Sequence, residues 1–241
     1  MNDTASLIRK NEEKLFSEWR KELNASGKVF IPDGVVMPEK WVNANNRVIF
    51  LLKEVNGGES EWDERDYLEN YNTNPLYIKT HSPTISVLIQ WIYAFENDTE
   101  LEWDKLLSRI DNVETQTKLL QQIALVNVKK VPGGGTVDGE KFDQYWRGKQ
   151  NIDNLKKQLE NYFSSDAPPD YIICGATSWF YEEIFKNEKL KWEQTSRGIR
   201  YCKHRNTIVI DYCHPQARIA SNIKYYALFD ALQEIKKMYK N

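Results

Sequence analysis

The sequence has few cysteines, and their spacing matches no disulfide or metal-binding pattern. Cys174, Cys202 and Cys213 form no CxxC pair, and their odd number leaves one cysteine over under any pairing. A disulfide framework or a four-cysteine metal or iron–sulfur site is therefore not expected. Each cysteine lies in an apolar, strand-like context, which favours a buried thiol. We expect no metal and no cofactor.

The sequence also lacks long apolar runs and a strong excess of charge of either sign. No apolar stretch approaches the ~20 residues of a membrane span, and the amphipathic N-terminus has no signal-peptide core. The 33 basic and 35 acidic residues give a formal net charge of −2. This balance argues against wholesale wrapping of nucleic acid, but it permits a local basic face. We expect a cytoplasmic monomer with no membrane contact.

Length and pattern predict one α/β domain. A chain of 241 residues favours a single domain, here 1–241, with 1–46 as an N-terminal helical extension and 47–241 as the core. Apolar runs of strand length predict buried strands at 47–53, 123–128, 171–174 and 207–212. Helical patterns alternate with these strands, which is typical of a three-layer α/β/α sandwich with a mainly parallel, four-stranded central sheet.

Polar side chains follow three of the four predicted strands, at the points where the strands end. Glu54 and Asn56 follow the first strand, Asn127 and Lys129 end the second, and His214 follows the fourth. The carboxyl ends of parallel strands meet at one edge of the sheet, where open α/β sheets bind their ligands. The sequence therefore predicts a functional site at this edge.

The segment 57–81 is long, polar and aromatic, which is typical of a functional loop or lid. It begins at Gly57, where the missing side chain lets the backbone approach a bound molecule. Trp62, Tyr67 and Tyr71 follow, and their rings are candidates for stacking on a base or a sugar. For each ring, packing in the core is the alternative.

Four motifs along the chain resemble those of the uracil-DNA glycosylase superfamily. They read VIFLLKEVNGG, NVKKVPGGG, YIICGATSWF and DYCHPQAR. Their order is similar to that of the bacterial and archaeal branch, whose motifs read GEAPG, N-x-x-K-x-x-P and HP. The resemblance covers residues 47–222, and it implies hydrolysis of the bond between a DNA base and its deoxyribose.

The resemblance implies a role for each residue at the strand ends. Glu54 would stabilise the sugar cation and orient water, as carboxylates do in glycosidic cleavage. Asn127 would read the flipped base, and His214 would stabilise the departing base anion. Matching the first motif to the G-I-N-P-G version of mismatch glycosylases would instead put Asn56 at the water-positioning place. Both registers stay open.

Basic residues and a wedge complete the expected contact with DNA. Arg218 and Ile219 follow the HP motif and would act as wedge residues, with Arg218 also contacting DNA. Phosphate contacts are expected from a set of basic side chains: Lys129, Lys130, Arg147, Lys203, Arg205 and Lys224.

Each assignment has a structural alternative. Glu54 could form a strand-end salt bridge, Asn127 could satisfy a buried backbone group, and His214 could hydrogen-bond a loop carbonyl. Lys129 and Lys130 could be a solvated pair.

The sequence departs from the branch that it resembles. That branch carries four cysteines around an iron–sulfur cluster, which this sequence lacks, and segment 57–81 is longer and more aromatic than the segment that closes a uracil-sized pocket. In these departures the chain is similar to superfamily members that act in antiviral defence by removing hypermodified pyrimidines, such as glucosylated hydroxymethylcytosine, from phage DNA. We expect such a base to be excised, leaving an abasic site. The alternatives are a uracil or mismatch repair glycosylase, an inactive DNA-binding homologue, and an α/β enzyme acting on a small nucleotide.

Overall fold

The computed structural model describes residues 3–56, 61–71, 73, 82–133, 145 and 147–239. These residues form a mixed α/β fold around a seven-stranded sheet. The strands are β1 Gly34–Val35, β2 Val48–Asn56, β3 Ala124–Gly133, β4 Tyr171–Gly175, β5 Trp192–Gln194, β6 Arg200–His204 and β7 Thr207–Tyr212. The helices are α1 Asp3–Asn24, α2 Pro38–Val42, α3 Glu64–Glu69, α4 Pro83–Glu96, α5 Trp103–Ile110, α6 Val113–Gln121, α7 Lys149–Phe163, α8 Ser178–Ile184 and α9 Ser221–Tyr239.

The four predicted core strands form the parallel centre of the sheet. The strand order is β1-β3-β2-β4-β7-β6-β5, and β3, β2, β4 and β7 pair in parallel. The prediction of a four-stranded sheet is wrong, because antiparallel strands extend both sides of this centre. β1 pairs with β3, and the β5–β6 hairpin adds to β7. Strand β1 is only two residues long.

Strand β2 is apolar throughout its first half because hydrophobic clusters cover both of its faces. Phe50 and Leu52 pack in one cluster with residues of α4, α6 and α9. Ile49 and Leu51 point the other way, into a second cluster with residues of α1, α7 and α8. Successive side chains of a strand point to opposite faces, so a strand covered on both faces needs a continuous apolar run.

Local signals set the helix boundaries between β2 and β3. Ser82 accepts a hydrogen bond from the Ile85 N–H at 3.4 Å, and Pro83 occupies the first turn of α4. Helix α5 ends at Ile110, one residue before Asp111. Asn112 then caps α6 with its side-chain oxygen.

The N-terminal helix packs into the second cluster. Ile8, Phe16 and Trp19 are buried there, and the fully buried Glu12 accepts a hydrogen bond from the backbone N–H of Val35 at 2.8 Å. Helix α1 therefore holds β1 against the sheet. Helix α7 begins at Lys149, and residues 134–144 and 146 before it lie outside the described residues. Among the described residues, no helix is long and apolar enough to cross a membrane.

Candidate active site

The carboxyl ends of the four parallel strands meet at one edge of the sheet, as predicted. Glu54 of β2 lies beside Lys129 of β3, and Gly175 ends β4 beside the end of β7. His214 follows β7 by two residues. A Cβ built on Gly175 would lie 3.5 Å from Cδ of Pro215, so the HP turn packs close to the end of β4.

Glu54 is held in place by a cation and by a glycine. Its Oε2 lies 2.8 Å from Nζ of Lys129, and the Glu54 side chain is only 5% exposed. A Cβ on Gly133 would lie within 2.6 Å of both carboxylate oxygens, so any larger residue would displace the carboxylate. The predicted catalytic carboxylate is therefore fixed and largely desolvated, and the alternative of a strand-end salt bridge is also present. Lys129 contacts this carboxylate.

The neutral ring of His214 can donate a hydrogen bond from Nε2. Its Nδ1 accepts the backbone N–H of Gln216 at 3.1 Å, which puts the proton of the neutral ring on Nε2. Burial lowers the pKa of His214, and the positive charges of Lys53 and Lys224 lower it further. Lys224, predicted to contact phosphate, is instead buried, and its ammonium donates to the carbonyl of Pro215 at 2.5 Å. It therefore holds the HP turn.

Asn127 lies in a buried network of charged side chains. Its backbone N–H donates to Oδ2 of Asp33 at 2.7 Å, and its Nδ2 donates to the same oxygen at 3.3 Å. The same Nδ2 donates to Oε2 of Glu64 at 2.6 Å. Asn127 is 2% exposed, and its alternative role of satisfying buried groups is therefore observed. Free pairing of its amide N–H groups with a base is not compatible with these contacts.

Lys130 does not lie on a DNA-binding surface, which corrects the prediction. It is fully buried and forms an ion pair with Asp33. Adjacent strand residues face opposite sides, so Lys129 lies on the face of Glu54 whereas Lys130 points toward Trp19 of α1.

The Asp33 network continues to α1 and α7, and the sequence analysis missed this part. Tyr162 donates to Oε1 of Glu12 at 2.7 Å, and Arg65 lies 3.0 Å from Oε2 of Glu12. Nε2 of Gln158 donates both to Asp33 and to the Tyr162 hydroxyl at 3.1 Å. Asn127, a polar residue inside the apolar strand predicted at 123–128, was the one sequence signal for this network.

Burial, and to a smaller extent the nearby charge of Asp33, raise the pKa of Glu64 from 4.5 to about 8. Lys130 and the hydrogen bond from Asn127 act in the opposite direction. Two carboxyl groups share the Asn127 amide, and like charges so close cannot both be ionised cheaply. We therefore expect Glu64 to keep a proton at neutral pH.

Three aromatic residues of segment 57–81 that the structure describes, Trp62, Tyr67 and Tyr71, lie in α3 or within two residues of it. Trp62 and Tyr67 have ring centroids 5.9 Å apart in an edge-to-face arrangement, and Tyr67 and Tyr71 lie 5.7 Å apart. Tyr71 is 2% exposed in the first cluster, so its assignment as a stacking platform is corrected to packing. Trp62 and Tyr67 are half-buried. Gly57 and the side chain of Asn56 lie outside the described residues.

Lys203 and Arg205 lie at the wrong end of the sheet for the site. They border the turn from β6 to β7, at the start of β7, whereas His214 follows its end. At about 3.3 Å per residue, the length of β7 separates the two ends by roughly 20 Å. Arg205 also forms a two-bond ion pair with Glu160 at 2.8 and 2.9 Å. These two residues are therefore removed from the predicted DNA face.

Arg218 and Ile219 remain exposed just after the HP turn, and 45% of Ile219 is accessible. Cys174 and Cys202 are buried free thiols, as predicted, and Cys213 is half-buried. Across the described ranges, no group of three or more His, Cys, Asp or Glu side chains is arranged to hold a metal ion.

Comparison with known proteins adds no family to this description. No protein-family model matches the chain, and no curated protein matches it significantly. What is established is a mixed α/β protein with a carboxylate and an imidazole at the ends of parallel strands. Its function is therefore argued from this site.

Proposed function

We propose that the protein is a monofunctional DNA glycosylase with a three-layer uracil-DNA glycosylase-like fold. It would flip a modified pyrimidine out of DNA, hydrolyse the N-glycosidic bond and leave an abasic site. One observation carries the proposal. A fixed carboxylate, Glu54, and a neutral imidazole donor, His214, lie at the same edge of the parallel sheet.

The two groups suit the two charges that form when the bond breaks. Heterolysis leaves a cationic sugar and an anionic base, water adds to C1′, and the proton of that water ends on the base. The Glu54 carboxylate stabilises the cation and orients the water. The Nε2–H of His214 donates to an oxygen of the departing base, and such a preorganised donor typically contributes ~3–4 kcal/mol.

The amine chemistry of a strand-cleaving glycosylase is not proposed. The Lys129 ammonium is engaged by Glu54 at 2.8 Å, and an amine nucleophile must be free to attack C1′. An abasic site is therefore the expected product.

DNA is proposed to bind locally at the HP turn. Arg218 and Ile219 are exposed there, and the formal net charge of −2 does not favour broad wrapping. The aromatic character of segment 57–81 supports a bulkier base than uracil, such as a glucosylated hydroxymethylcytosine of phage DNA. Defence against phage is the biological role proposed.

The experiment incubates the pure protein with four DNAs and reveals abasic sites with mild alkali. The DNAs are plain, uracil-containing, hydroxymethylcytosine-containing and glucosylated. Glu54→Gln should lower the cleavage rate at least 100-fold, and His214→Ala should lower it about 10²–10³-fold. The matched control is Glu114→Gln, because Glu114 is an exposed glutamate on α6 that is paired with Lys118. This variant should cleave DNA at the wild-type rate.

The outcomes separate the alternatives. Cleavage of uracil-containing DNA would indicate a uracil or mismatch repair glycosylase. DNA binding without abasic sites, unchanged by Glu54→Gln, would show an inactive DNA-binding protein. Failure to bind any DNA at low salt would point to a small nucleotide as substrate.

A further inference from the structure

The side-chain amide of Asn127 has one orientation. Its Nδ2 faces two carboxyl groups, at 2.6 Å from Glu64 and 3.3 Å from Asp33. Turning the amide over would place Oδ1 against the Asp33 oxygen that also accepts the Asn127 backbone N–H at 2.7 Å. Two acceptors would then face each other in a buried place, which is costly. The amide N–H groups therefore point to the protein, and Oδ1 points away from the carboxyl groups.

The two carboxyl groups are themselves held in place. Asp33 forms the buried ion pair with Lys130 and accepts a hydrogen bond from Gln158 at 3.1 Å. Glu64 is the first residue of α3, directly after Asp63, which caps that helix by accepting the Arg65 N–H. The orientation of Asn127 is therefore fixed from two separate parts of the chain, Asp33 before β1 and Glu64 at the start of α3.

Asn127 lies next to the proposed catalytic pair. Leu52 is its neighbour on β2, and Glu54 is the neighbour of Lys129. Residues two apart on a strand share a face and lie about 7 Å apart. Asn127 is thus one step below the Glu54–Lys129 pair on the same face of the sheet.

We propose that Asn127 presents its carbonyl oxygen to the flipped base, so that the site selects a 4-amino pyrimidine of the cytosine type over a 4-oxo pyrimidine of the uracil type. Glu64 is the positioning residue that holds this orientation. The inference rests on the proposed glycosylase function. The 4-amino group of cytosine donates a hydrogen bond and O4 of uracil only accepts one, so an acceptor at Asn127 pairs with the first and opposes the second.

The test uses two DNAs whose target bases differ only at position 4. One carries 5-(glucosyloxymethyl)cytosine and the other 5-(glucosyloxymethyl)uracil, and single-turnover excision rates are measured for each. Wild type should prefer the cytosine-type base at least tenfold. Glu64→Leu removes the nearer of the two acceptors and leaves only the 3.3 Å contact with Asp33 to orient the amide, so this preference should fall at least tenfold. Glu64→Gln keeps an oxygen that accepts from Asn127 and should retain the preference.

A ratio of rates separates positioning from simple loss of folding, because misfolded protein lowers both rates equally. Asn127→Ala is the second variant, and it should slow excision of the cytosine-type base more than that of the uracil-type base. Equal rates on the two bases for wild type, or an unchanged ratio in Glu64→Leu and Asn127→Ala, would overturn the inference and leave the glycosylase proposal standing. Absence of abasic sites in both DNAs with wild type would overturn the glycosylase proposal itself.

Discussion

The free energy of unfolding of wild type should fall as the pH rises from 5 to 8, and replacing Glu64 by glutamine should abolish this fall. Burial, and then Asp33, raises the pKa of Glu64 from 4.5 to about 8. In this range the folded state keeps a proton that the unfolded state has released. Stability therefore falls as the pH rises from the unfolded pKa to the folded pKa. Glutamine has no proton to lose, and its side-chain oxygen can still accept from Asn127.

The size of the effect follows from the pKa shift. Each unit corresponds to about 1.4 kcal/mol, so a shift from 4.5 to about 8 corresponds to at most about 5 kcal/mol near pH 8. Glu64 is 8% exposed, so solvent screening reduces this value little. Between pH 5.5 and 7.5, the free energy of unfolding of Glu64→Gln minus that of wild type should grow by about 2–3 kcal/mol.

The assay is urea unfolding at pH 5.5, 6.5 and 7.5, because ΔG of unfolding extrapolates linearly in denaturant. Glu114→Gln is the control. Its carboxylate is exposed, and Lys118 lowers its pKa, so its titration lies below this pH range. Its stability curve should run parallel to that of wild type. If the Glu64→Gln curve also runs parallel, Glu64 is ionised in the folded protein and the reasoning on the shared amide is refuted.

Two further predictions concern the neighbouring strand β3. Lys130→Met should lower the free energy of unfolding by about 3–5 kcal/mol, because it leaves the charge of Asp33 buried without its partner. Lys118→Met, at an exposed pair, should cost less than about 1 kcal/mol in the same urea titration, and equal losses would contradict the buried network. Gly133→Ala should lower the excision rate at least tenfold by displacing the Glu54 carboxylate. A normal rate in a folded Gly133→Ala protein would show that this position of Glu54 is not required.

The sheet centre was predictable from the sequence because its signals are local. The apolar run of β2 and the polar residues that end it lie within nine residues, Val48–Asn56. Strand β1 has only two residues and no pattern of its own. Its place depends on contacts with α1 and β3, which are distant along the chain, so it was missed as a strand of the main sheet.

The roles of single polar residues at the site were less predictable. Lys129 and Lys130 are adjacent and chemically identical, yet one faces Glu54 and the other is buried against Asp33. The choice between them depends on which face of β3 each occupies and on Asp33, which lies 94 residues from Asn127. Asn127 was expected either to read a base or to satisfy a buried backbone group, and its partners could not be inferred without the fold. The proposed roles of Glu54 and His214 stay predictions.

The hydrogen bond between Tyr162 and Glu12 joins residues 150 positions apart and so closes a loop that contains most of the chain. Closing long loops is slow, because their entropy is lost before the contacts that reward it are made. The charges around Asp33 can be buried only after α1 and α7 have both reached the sheet. We therefore expect the positions of Asn127 and Glu64 to be set late in folding, after α1 and α7 have both packed on the sheet.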